Sequence, residues 1–224
     1  MNFFELQDLL EKDNVIIDYI LVKCQYKEKY VKEHQRIKFE ENKIYIQKSG
    51  YFQITYIENK EMKQISFKNT IWLGRFYHSK NNLIVEALTP ATLIVLDTDE
   101  VFDLLEKDKL LAHLFFLLLA QIRGNFEMFE LQFQFRPKER VVRLIKIISD
   151  KMNWATETEK ELPRFFTMDF VAACCCCSRK VVSKALKELA LEGILDISAK
   201  PWVILDPEKL DNYTTRLHLA AVNE

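Results

Sequence analysis

The chain of 224 residues carries 32 Lys and Arg against 33 Asp and Glu, so its formal net charge is −1 at pH 7. Hydrophobic residues make up 49% of it and charged residues 29%, the balance expected of a soluble globular protein long enough for two modest domains. The whole-chain charge gives no sign of a nucleic-acid partner, although a DNA-binding protein needs to be basic only where it contacts phosphate.

Three sequence features exclude other classes of protein. Acidic residues at Glu5, Asp8 and Glu11 interrupt the start of the chain, so we expect no secretory signal there. The most apolar stretch, residues 110–122, is shorter than the roughly 20 residues that a membrane span needs. Five cysteines, four of them consecutive, do not have the spacing of a disulfide framework. We therefore expect a soluble, cytoplasmic protein.

The first hundred residues predict one helix and then many short strands. Apolar residues fall on one face of a helix predicted at residues 3–12. Beyond residue 25 polar and apolar residues alternate in short runs, which suits strands with one buried face. Short strands at close spacing predict a small barrel or sandwich. The predicted strands are residues 36–39, 43–47, 52–57, 64–67, 83–87 and 92–97, with turns at 58–61 and 80–82.

Residues 99–135 predict one long helix with few breaks. Apolar residues recur every three or four positions along it, and a second apolar set that includes Phe116 and Leu119 widens this surface. A helix so apolar needs another helix beside it. Its own copy in a second chain is the expected partner, because most soluble oligomers are symmetric homo-oligomers, and the alternative is a core helix packed within one chain. The expected dimer interface consists of Leu111, Phe115, Leu118, Ile122, Phe126 and Phe129.

The Arg136-Pro137 pair marks the next boundary. Proline suits the first position of a helix, because its missing N–H would be unpaired there. A helix is therefore predicted to begin at Pro137 and to run past Ile148. Residues 156–161 are polar and predict a loop.

Residues 167–192 predict a helix-turn-helix. Thr167 can cap a short helix at residues 168–175, because its hydroxyl can accept a hydrogen bond from a free backbone N–H. Ser178 can cap a second helix at residues 179–191, which ends near Gly193. Two short capped helices joined by a tight turn are typical of this motif.

The second helix of the motif has one apolar and one basic face. Residues 164–187 contain five basic side chains and one acidic side chain, Asp169. Such a helix can enter the major groove, where Arg binds guanine through two hydrogen bonds and Lys reaches guanine or phosphate. Residues 194–197 and 202–205 predict a β-hairpin wing, whose Lys200 is placed to contact the DNA backbone. The alternative is a basic helix face that is only solvated.

Cys174 to Cys177 form an unusual run. The spacing of Cys174 and Cys177 is found in zinc sites and redox pairs, but no second pair lies nearby, so we expect no metal. The simplest interpretation is that Cys174 and Cys175 are small buried apolar residues and that Cys176 takes a turn position that favours glycine. A second hypothesis is that Cys177 is a redox-sensitive thiol, whose thiolate Arg179 and the neighbouring lysine would favour.

The order of these elements resembles the Crp/Fnr family of bacterial transcription regulators, over nearly the whole chain. Residues 45–50 look like that family's strand ending in a turn glycine, and residues 59–62 and 72–74 fall where its next hairpin and ligand-loop glycine lie. Residues 167–189 carry the most specific similarity. The resemblance implies an α+β fold with three parts: an N-terminal β-roll (residues 1–98), a dimerisation helix (99–135) and a C-terminal winged helix-turn-helix domain (136–224).

The resemblance also implies a function and a set of contact residues. A homodimer is expected to bind a pseudo-palindromic DNA site and to regulate transcription, with RNA polymerase as a further partner if it activates. No enzyme activity is expected. In the family's register the base-reading positions are Arg179, Lys180, Ser183 and Lys184, Ser178 and Lys200 lie near phosphates, and Lys187 extends the basic face.

The sequence departs from the family at its ligand-binding positions. Arg75 follows Gly74, where members that bind cyclic nucleotides have a glutamate, and Asn81-Asn82 replaces their arginine–serine pair. Cys24 is the only cysteine near the N-terminus, whereas iron–sulfur members have a set. We therefore expect no cofactor, neither cyclic AMP nor an iron–sulfur cluster. Lys180 also replaces an acidic base-reading residue.

Three modes of control remain open on this interpretation. In the first, a small molecule other than a cyclic nucleotide controls DNA binding. In the second, oxidation of a cysteine controls it. In the third, DNA binding is constitutive and the β-roll binds no ligand.

Overall fold

The computed structural model describes residues 14–57, 61–78, 82–151 and 160–222, with the backbone alone for 61, 127–133 and 218–222. The chain divides into two compact units, residues 1–126 and 127–224. The helix predicted at residues 3–12 lies outside the described residues, as do residues 58–60 and 80–81 of the two predicted turns.

The first unit contains two antiparallel sheets and four helices among its described residues. One sheet has four strands in the order β1-β7-β2-β5, and the other has three in the order β4-β3-β6. The elements are α1 (Val15–Lys23), β1 (Tyr26–Val31), β2 (Lys43–Ser49), β3 (Phe52–Ile57), β4 (Glu61–Ser66), β5 (Ile71–Leu73), α2 (Gly74–Tyr77), β6 (Leu83–Ala87), β7 (Ala91–Asp97), α3 (Thr98–Lys107) and α4 (Leu111–Gln134).

Both faces of the four-stranded sheet are covered, because successive side chains of a strand point to opposite faces. Tyr45 pairs with Trp72 across β2 and β5, and both are fully buried in a core that also contains Phe52 of the other sheet. Ile44 and Ile46 face the opposite way. They join a second core, which includes buried residues of α1, α3 and α4.

Most of the predicted strands are confirmed. The bounds of β3 and β6 are those predicted, and β2, β4 and β7 overlap their predictions. The strand predicted at residues 36–39 is wrong, since only an isolated bridge from Arg36 to Glu86 forms there. Strand β1 was missed because it lies at a sheet edge and is exposed over most of its length, so its sequence does not alternate.

The single long helix predicted at residues 99–135 is wrong, because the chain breaks between α3 and α4. Lys109 has a φ of +59°, the left-handed conformation in which helices commonly end. The backbone N–H of Leu110 donates to the Leu105 carbonyl at 2.7 Å, and that of Lys109 to the Glu106 carbonyl at 3.1 Å, the two bonds of a Schellman motif. Within the described residues, no helix is both long and apolar enough to cross a membrane.

Glycine is required at two turns of the first unit that the sequence singled out. Gly50 has a φ of +80°, and an added Cβ would lie 2.5 Å from the Cβ of Ala91. A Cβ on Gly74 would lie 1.9 Å from the Glu40 carbonyl oxygen. No side chain fits at either position, so both turns depend on glycine.

The described part of the second unit contains four helices that pack mainly against one another, and a small antiparallel sheet in which Val203–Ile204 lies between Lys160–Glu161 and Leu195–Asp196. The loop predicted at residues 156–161 is wrong at its end, because Lys160–Glu161 pairs with Val203–Ile204 as a strand. The terminal helix was not predicted. The elements are α5 (Pro137–Lys151), β8 (Lys160–Glu161), α6 (Met168–Cys174), α7 (Arg179–Leu191), β9 (Leu195–Asp196), β10 (Val203–Ile204) and α8 (Pro207–Val222).

Candidate DNA-binding surface

Helices α6 and α7 begin at the two capping residues that the sequence predicted. The Oγ1 of Thr167 accepts a hydrogen bond from the Phe170 N–H at 3.1 Å. The Oγ of Ser178 accepts one from the Val181 N–H at 3.4 Å. Each bond satisfies a backbone donor that the first turn of a helix leaves unpaired. The direction of α7 is therefore fixed at its N-terminal end.

The turn between the two helices is a Schellman motif with cysteine in the position that favours glycine. The N–H of Cys177 donates to the Ala172 carbonyl at 3.0 Å, and that of Cys176 to the Ala173 carbonyl at 3.3 Å. Cys176 has a φ of +46°. Helix α7 ends in the same motif, with Gly193 at a φ of +68°. The two ends of the helix-turn-helix thus offer one such turn with glycine, after α7, and one with cysteine, after α6.

Helix α7 buries its apolar face and exposes its basic face, as predicted. Its buried residues lie three or four positions apart, the spacing of one side of a helix. Ser183 is half-buried. The buried set is Val182, Ala185, Leu186 and Leu189, and the exposed set is Ser178, Arg179, Lys180, Lys184 and Lys187.

The carboxylates of Asp169 and Glu188 contact basic residues around α7. The Nε of Arg179, at the first position of α7, lies 3.1 Å from Oδ1 of Asp169 in α6. Glu188, near the other end of α7, pairs with Lys138 of α5 and accepts a hydrogen bond from the Tyr213 hydroxyl of α8 at 3.3 Å. The hydrogen bond from Lys138 holds the pKa of Glu188 below its ordinary value. The contacts of Glu188 hold the C-terminal half of α7 against α5 and α8, whereas the N-terminal half is exposed.

The wing places Lys200 differently from the prediction. Strands β9 and β10 pair in register, and the turn between them contains a cis Lys200–Pro201 bond. The Nζ of Lys200 donates a hydrogen bond to the Phe166 carbonyl and lies 3.3 Å from the centroid of the Trp202 ring. Desolvation lowers the pKa of Lys200. Its ammonium therefore contacts the segment before α6 in the free protein, and it would have to turn outward to reach a phosphate.

The cysteine run is largely buried. Cys174 and Cys175 are buried, which confirms their interpretation as small apolar residues. Burial raises the pKa of the Cys177 thiol, although the Arg140 charge acts in the opposite direction. Burial therefore outweighs the charge of Arg140, and the redox sensitivity of Cys177 stays a prediction. No group of three or more metal-binding side chains converges in the described part of the chain.

The exposed apolar face of α4 differs slightly from the predicted dimer interface. Phe115, Ile122 and Phe126 are exposed by 47%, 60% and 57%, and Leu119 by 59%. Leu111 and Leu118, which were predicted to face a partner, are partly buried against the core of their own unit, because α4 packs on the four-stranded sheet. The side chain of Phe129 lies outside the described residues.

A cavity of about 400 Å³ lies in the first unit, bordered by α4, β5 and α2. The side-chain amide of Gln121 in α4 donates to the Ile71 carbonyl at 2.9 Å and accepts from the Ile71 N–H at 2.8 Å, which fixes α4 to this wall. Desolvation raises the pKa of Tyr77 to about 12, so its phenol stays protonated at neutral pH. The lining residues are Tyr56, Ile71, Leu73, Phe76, Tyr77, Asn82, Leu83, Leu118, Gln121 and Ile122.

The described residues that line this cavity carry no formal charge at neutral pH. Arg75 is exposed and is not among them.

The elements define a fold class: an α+β chain with an N-terminal β-roll, a long helix and a C-terminal winged helix-turn-helix, the fold of Crp/Fnr regulators. A cyclic nucleotide-binding domain containing protein from Listeria monocytogenes matches with a TM-score of 0.71 and 17% identity, over 92% of this chain and 99% of its own. FixK2 from Bradyrhizobium japonicum matches with a TM-score of 0.68 and 16% identity, over 84% and 96%.

TTHB099, a transcriptional regulator of the CRP family from Thermus thermophilus, matches with a TM-score of 0.63 and 16% identity, over 84% of this chain and 96% of its own. No protein-family model and no curated protein sequence matches the chain. At such identities the similarity shows the fold.

Proposed function

We propose that the protein is a homodimeric, sequence-specific DNA-binding regulator of transcription of the Crp/Fnr type. The observation that carries this proposal is helix α7, whose apolar side is buried while its N-terminal half exposes Arg179, Lys180 and Lys184. A capped helix with basic side chains exposed at its N-terminal end is the element that enters the major groove in helix-turn-helix proteins. TTHB099, which shares the fold, is a transcriptional regulator.

The exposed residues of α7 divide into two groups by their proposed contacts. Arg179, Lys180, Ser183 and Lys184 lie on the N-terminal half and would meet base edges, where Arg and Lys bind guanine O6 and N7. Ser178 and Lys187 flank this group and would bind phosphate, which fixes the register without reading sequence. Lys200 would join them after it leaves the Phe166 carbonyl.

The homodimer is proposed from the apolar face of α4. Phe115, Leu119, Ile122 and Phe126 are exposed at successive spacings of four, three and four residues, which is the spacing of the seam between two coiled helices. Two copies that meet along this seam bury four large side chains from each chain. A symmetric dimer presents two copies of α7, which suits a pseudo-palindromic site with half-sites about 34 Å apart.

The proposal is tested by selecting bound sequences from a random DNA library with the purified protein at fixed salt. A two-fold symmetric motif with half-sites about one helical turn apart supports a dimeric DNA reader. Binding that falls with salt and enriches no motif would show that the basic face is a general electrostatic surface, and it would overturn the proposal.

A second candidate function is favoured by the cavity: the same DNA reader gated by a neutral, largely apolar small molecule. The cavity borders α4, and Gln121 links the α4 backbone to its β5 wall. A molecule bound there would act on the helix that is proposed to form the dimer. This observation favours ligand control over a constitutive regulator, and the raised pKa of Cys177 gives no support to control by oxidation.

Ligand gating is tested with a neutral aromatic probe and an anionic one. 2-Naphthol is expected to raise the melting temperature of the wild type, and cyclic AMP is expected to leave it unchanged. Replacing Leu83→Trp should fill part of the cavity and abolish the 2-naphthol effect. Equal shifts of the melting temperature in wild type and variant would contradict binding in this cavity.

If the protein activates transcription, RNA polymerase would be its further partner.

A further inference from the structure

The contact between Asp169 and Arg179 joins the two helices of the helix-turn-helix at their exposed ends. Asp169 is the only acidic residue between positions 164 and 187, among five basic residues. Its Oδ1 lies 3.1 Å from the Nε of Arg179, and the two side chains are 68% and 66% exposed. A free carboxylate on this surface would repel the phosphates of DNA. This carboxylate is not free, because its partner is the first residue of α7.

The geometry leaves the base-reading end of Arg179 available. The contact uses Nε, on the side of the guanidinium group, whereas its two terminal nitrogens can form the paired hydrogen bonds that arginine makes to guanine O6 and N7. Arginine has many rotamers, and freezing them on binding lowers affinity. A carboxylate that already lies beside Nε would reduce that loss and favour one direction of the terminal nitrogens.

Local electrostatics favour the same arrangement. Asp169 lies in the first turn of α6, where the partial positive charge of the helix N-terminus stabilises a carboxylate. Arg179 lies in the first turn of α7, which contains no acidic residue and where a positive charge is unfavourable. Asp169 therefore supplies from α6 a negative charge that α7 lacks.

We infer that Asp169 is a positioning residue for base recognition: its carboxylate orients the Arg179 guanidinium so that the protein prefers guanine at one position of each half-site. The inference rests on the proposed DNA-binding function. On this inference the carboxylate that takes part in base recognition belongs to α6, the first helix of the motif, and not to α7. A well-oriented arginine of this kind discriminates guanine from other bases by about 5- to 150-fold.

The test compares base preferences, because a ratio of affinities for two sequences that differ by one base pair cancels any general change in charge. Wild type, Asp169→Asn, Arg179→Ala and the double variant are each titrated at one salt concentration against the selected site and against sites changed at single positions. We expect Arg179→Ala to abolish the preference for guanine at one position, and Asp169→Asn to reduce it there by about 3- to 10-fold. The double variant should be no worse than Arg179→Ala alone.

Two further variants separate positioning from charge and from structure. Glu192→Gln removes one negative charge at the C-terminal end of α7 and should leave all base preferences unchanged. Asp169→Glu should restore part of the lost preference, which a purely structural defect would not allow. Both members of the Asp169–Arg179 pair are exposed, so their variants are expected to remain folded.

The outcomes distinguish this inference from the proposed function. A wild type without any sequence preference overturns the proposed function and the inference together. A wild type with a clear motif that Asp169→Asn leaves unchanged, while Arg179→Ala loses guanine at one position, overturns the inference alone. A uniform gain in affinity for every sequence in Asp169→Asn also overturns it, since the carboxylate would then only repel phosphate.

Discussion

Replacing Cys176→Gly is expected to stabilise the C-terminal unit, although it removes a partly buried side chain. Cys176 has a φ of +46° in a Schellman turn, and a residue other than glycine loses about 1–2 kcal/mol in the left-handed conformation. Glycine also makes the unfolded chain more flexible, which offsets about 0.4–1 kcal/mol of this gain. At the middle of these ranges the net stabilisation is about 0.8 kcal/mol, or about 3–6 °C in the melting temperature of a unit of this size.

The end of α7 provides a matched control with the opposite sign. Gly193 takes the same position in its own Schellman turn, with a φ of +68°, and an added Cβ would meet no atom within 4 Å. Gly193→Ala should therefore destabilise by a similar net amount, about 0.8 kcal/mol, because backbone strain exceeds the gain from a stiffer unfolded chain. Cys176→Ser keeps a Cβ and removes the thiol, so it should leave stability nearly unchanged.

Calorimetry of the full-length protein in the presence of reductant measures both changes, because the two units can melt in separate transitions. We expect a higher transition temperature for Cys176→Gly and a lower one for Gly193→Ala. A lower transition temperature for Cys176→Gly would contradict this explanation. So would an equal rise for Cys176→Ser, since relief of the left-handed backbone would then not be the main cause of the stabilisation.

Three further predictions address the dimer, the anchor of α7 and the cysteine run. Ile122→Asp should weaken dimerisation at least about 100-fold in sedimentation experiments, because it places a carboxylate where the proposed dimer would bury an aliphatic side chain from each chain. Leu191→Asp, at an exposed leucine outside α4, should leave the dimer intact. Glu188→Gln should destabilise by about 0.2–1 kcal/mol at pH 7 through the loss of its pair with Lys138. Because the pKa of Glu188 is lower in the folded state, the stability difference is fully present above its ordinary pKa of 4.5 and should shrink in urea titrations as pH falls through the folded pKa. A difference that grew as the pH was lowered below 4.5 would contradict the assignment. Peroxide should affect DNA binding by the wild type and by Cys177→Ser equally, because burial keeps this thiol protonated, and selective protection by the serine would show otherwise.

The helix-turn-helix was predictable because its signals are local. Thr167 and Ser178 cap the helices within three residues, and Gly193 supplies the left-handed residue at the end of α7. The break at Lys109 was not predictable in the same way, since a lysine occupies the position where glycine is the usual signal. Helix α8 was missed although Asp206 precedes a proline and accepts a hydrogen bond from a backbone N–H of its first turn.

The details of the candidate site depend on contacts between distant segments, which periodicity does not contain. The apolar stripe of α4 was predicted, but which residues face outward depends on how the helix packs on its sheet, so Leu119 replaced Leu118 on the exposed face. The raised pKa of Cys177 follows from burial in the folded unit. The pairing of Asp169 with Arg179 needs the turn that brings two helix ends together.

The measurement that tests the central claim most directly is the DNA motif selected by Lys184→Ala compared with wild type at one salt concentration. Lys27→Ala, at an exposed strand in the other unit, serves as a control of equal charge change. If α7 reads bases, Lys184→Ala should weaken binding to the selected site and relax the preference at symmetric positions in both half-sites, while Lys27→Ala keeps the wild-type motif. An unchanged affinity and motif in Lys184→Ala would contradict the assignment of α7 as the reading helix.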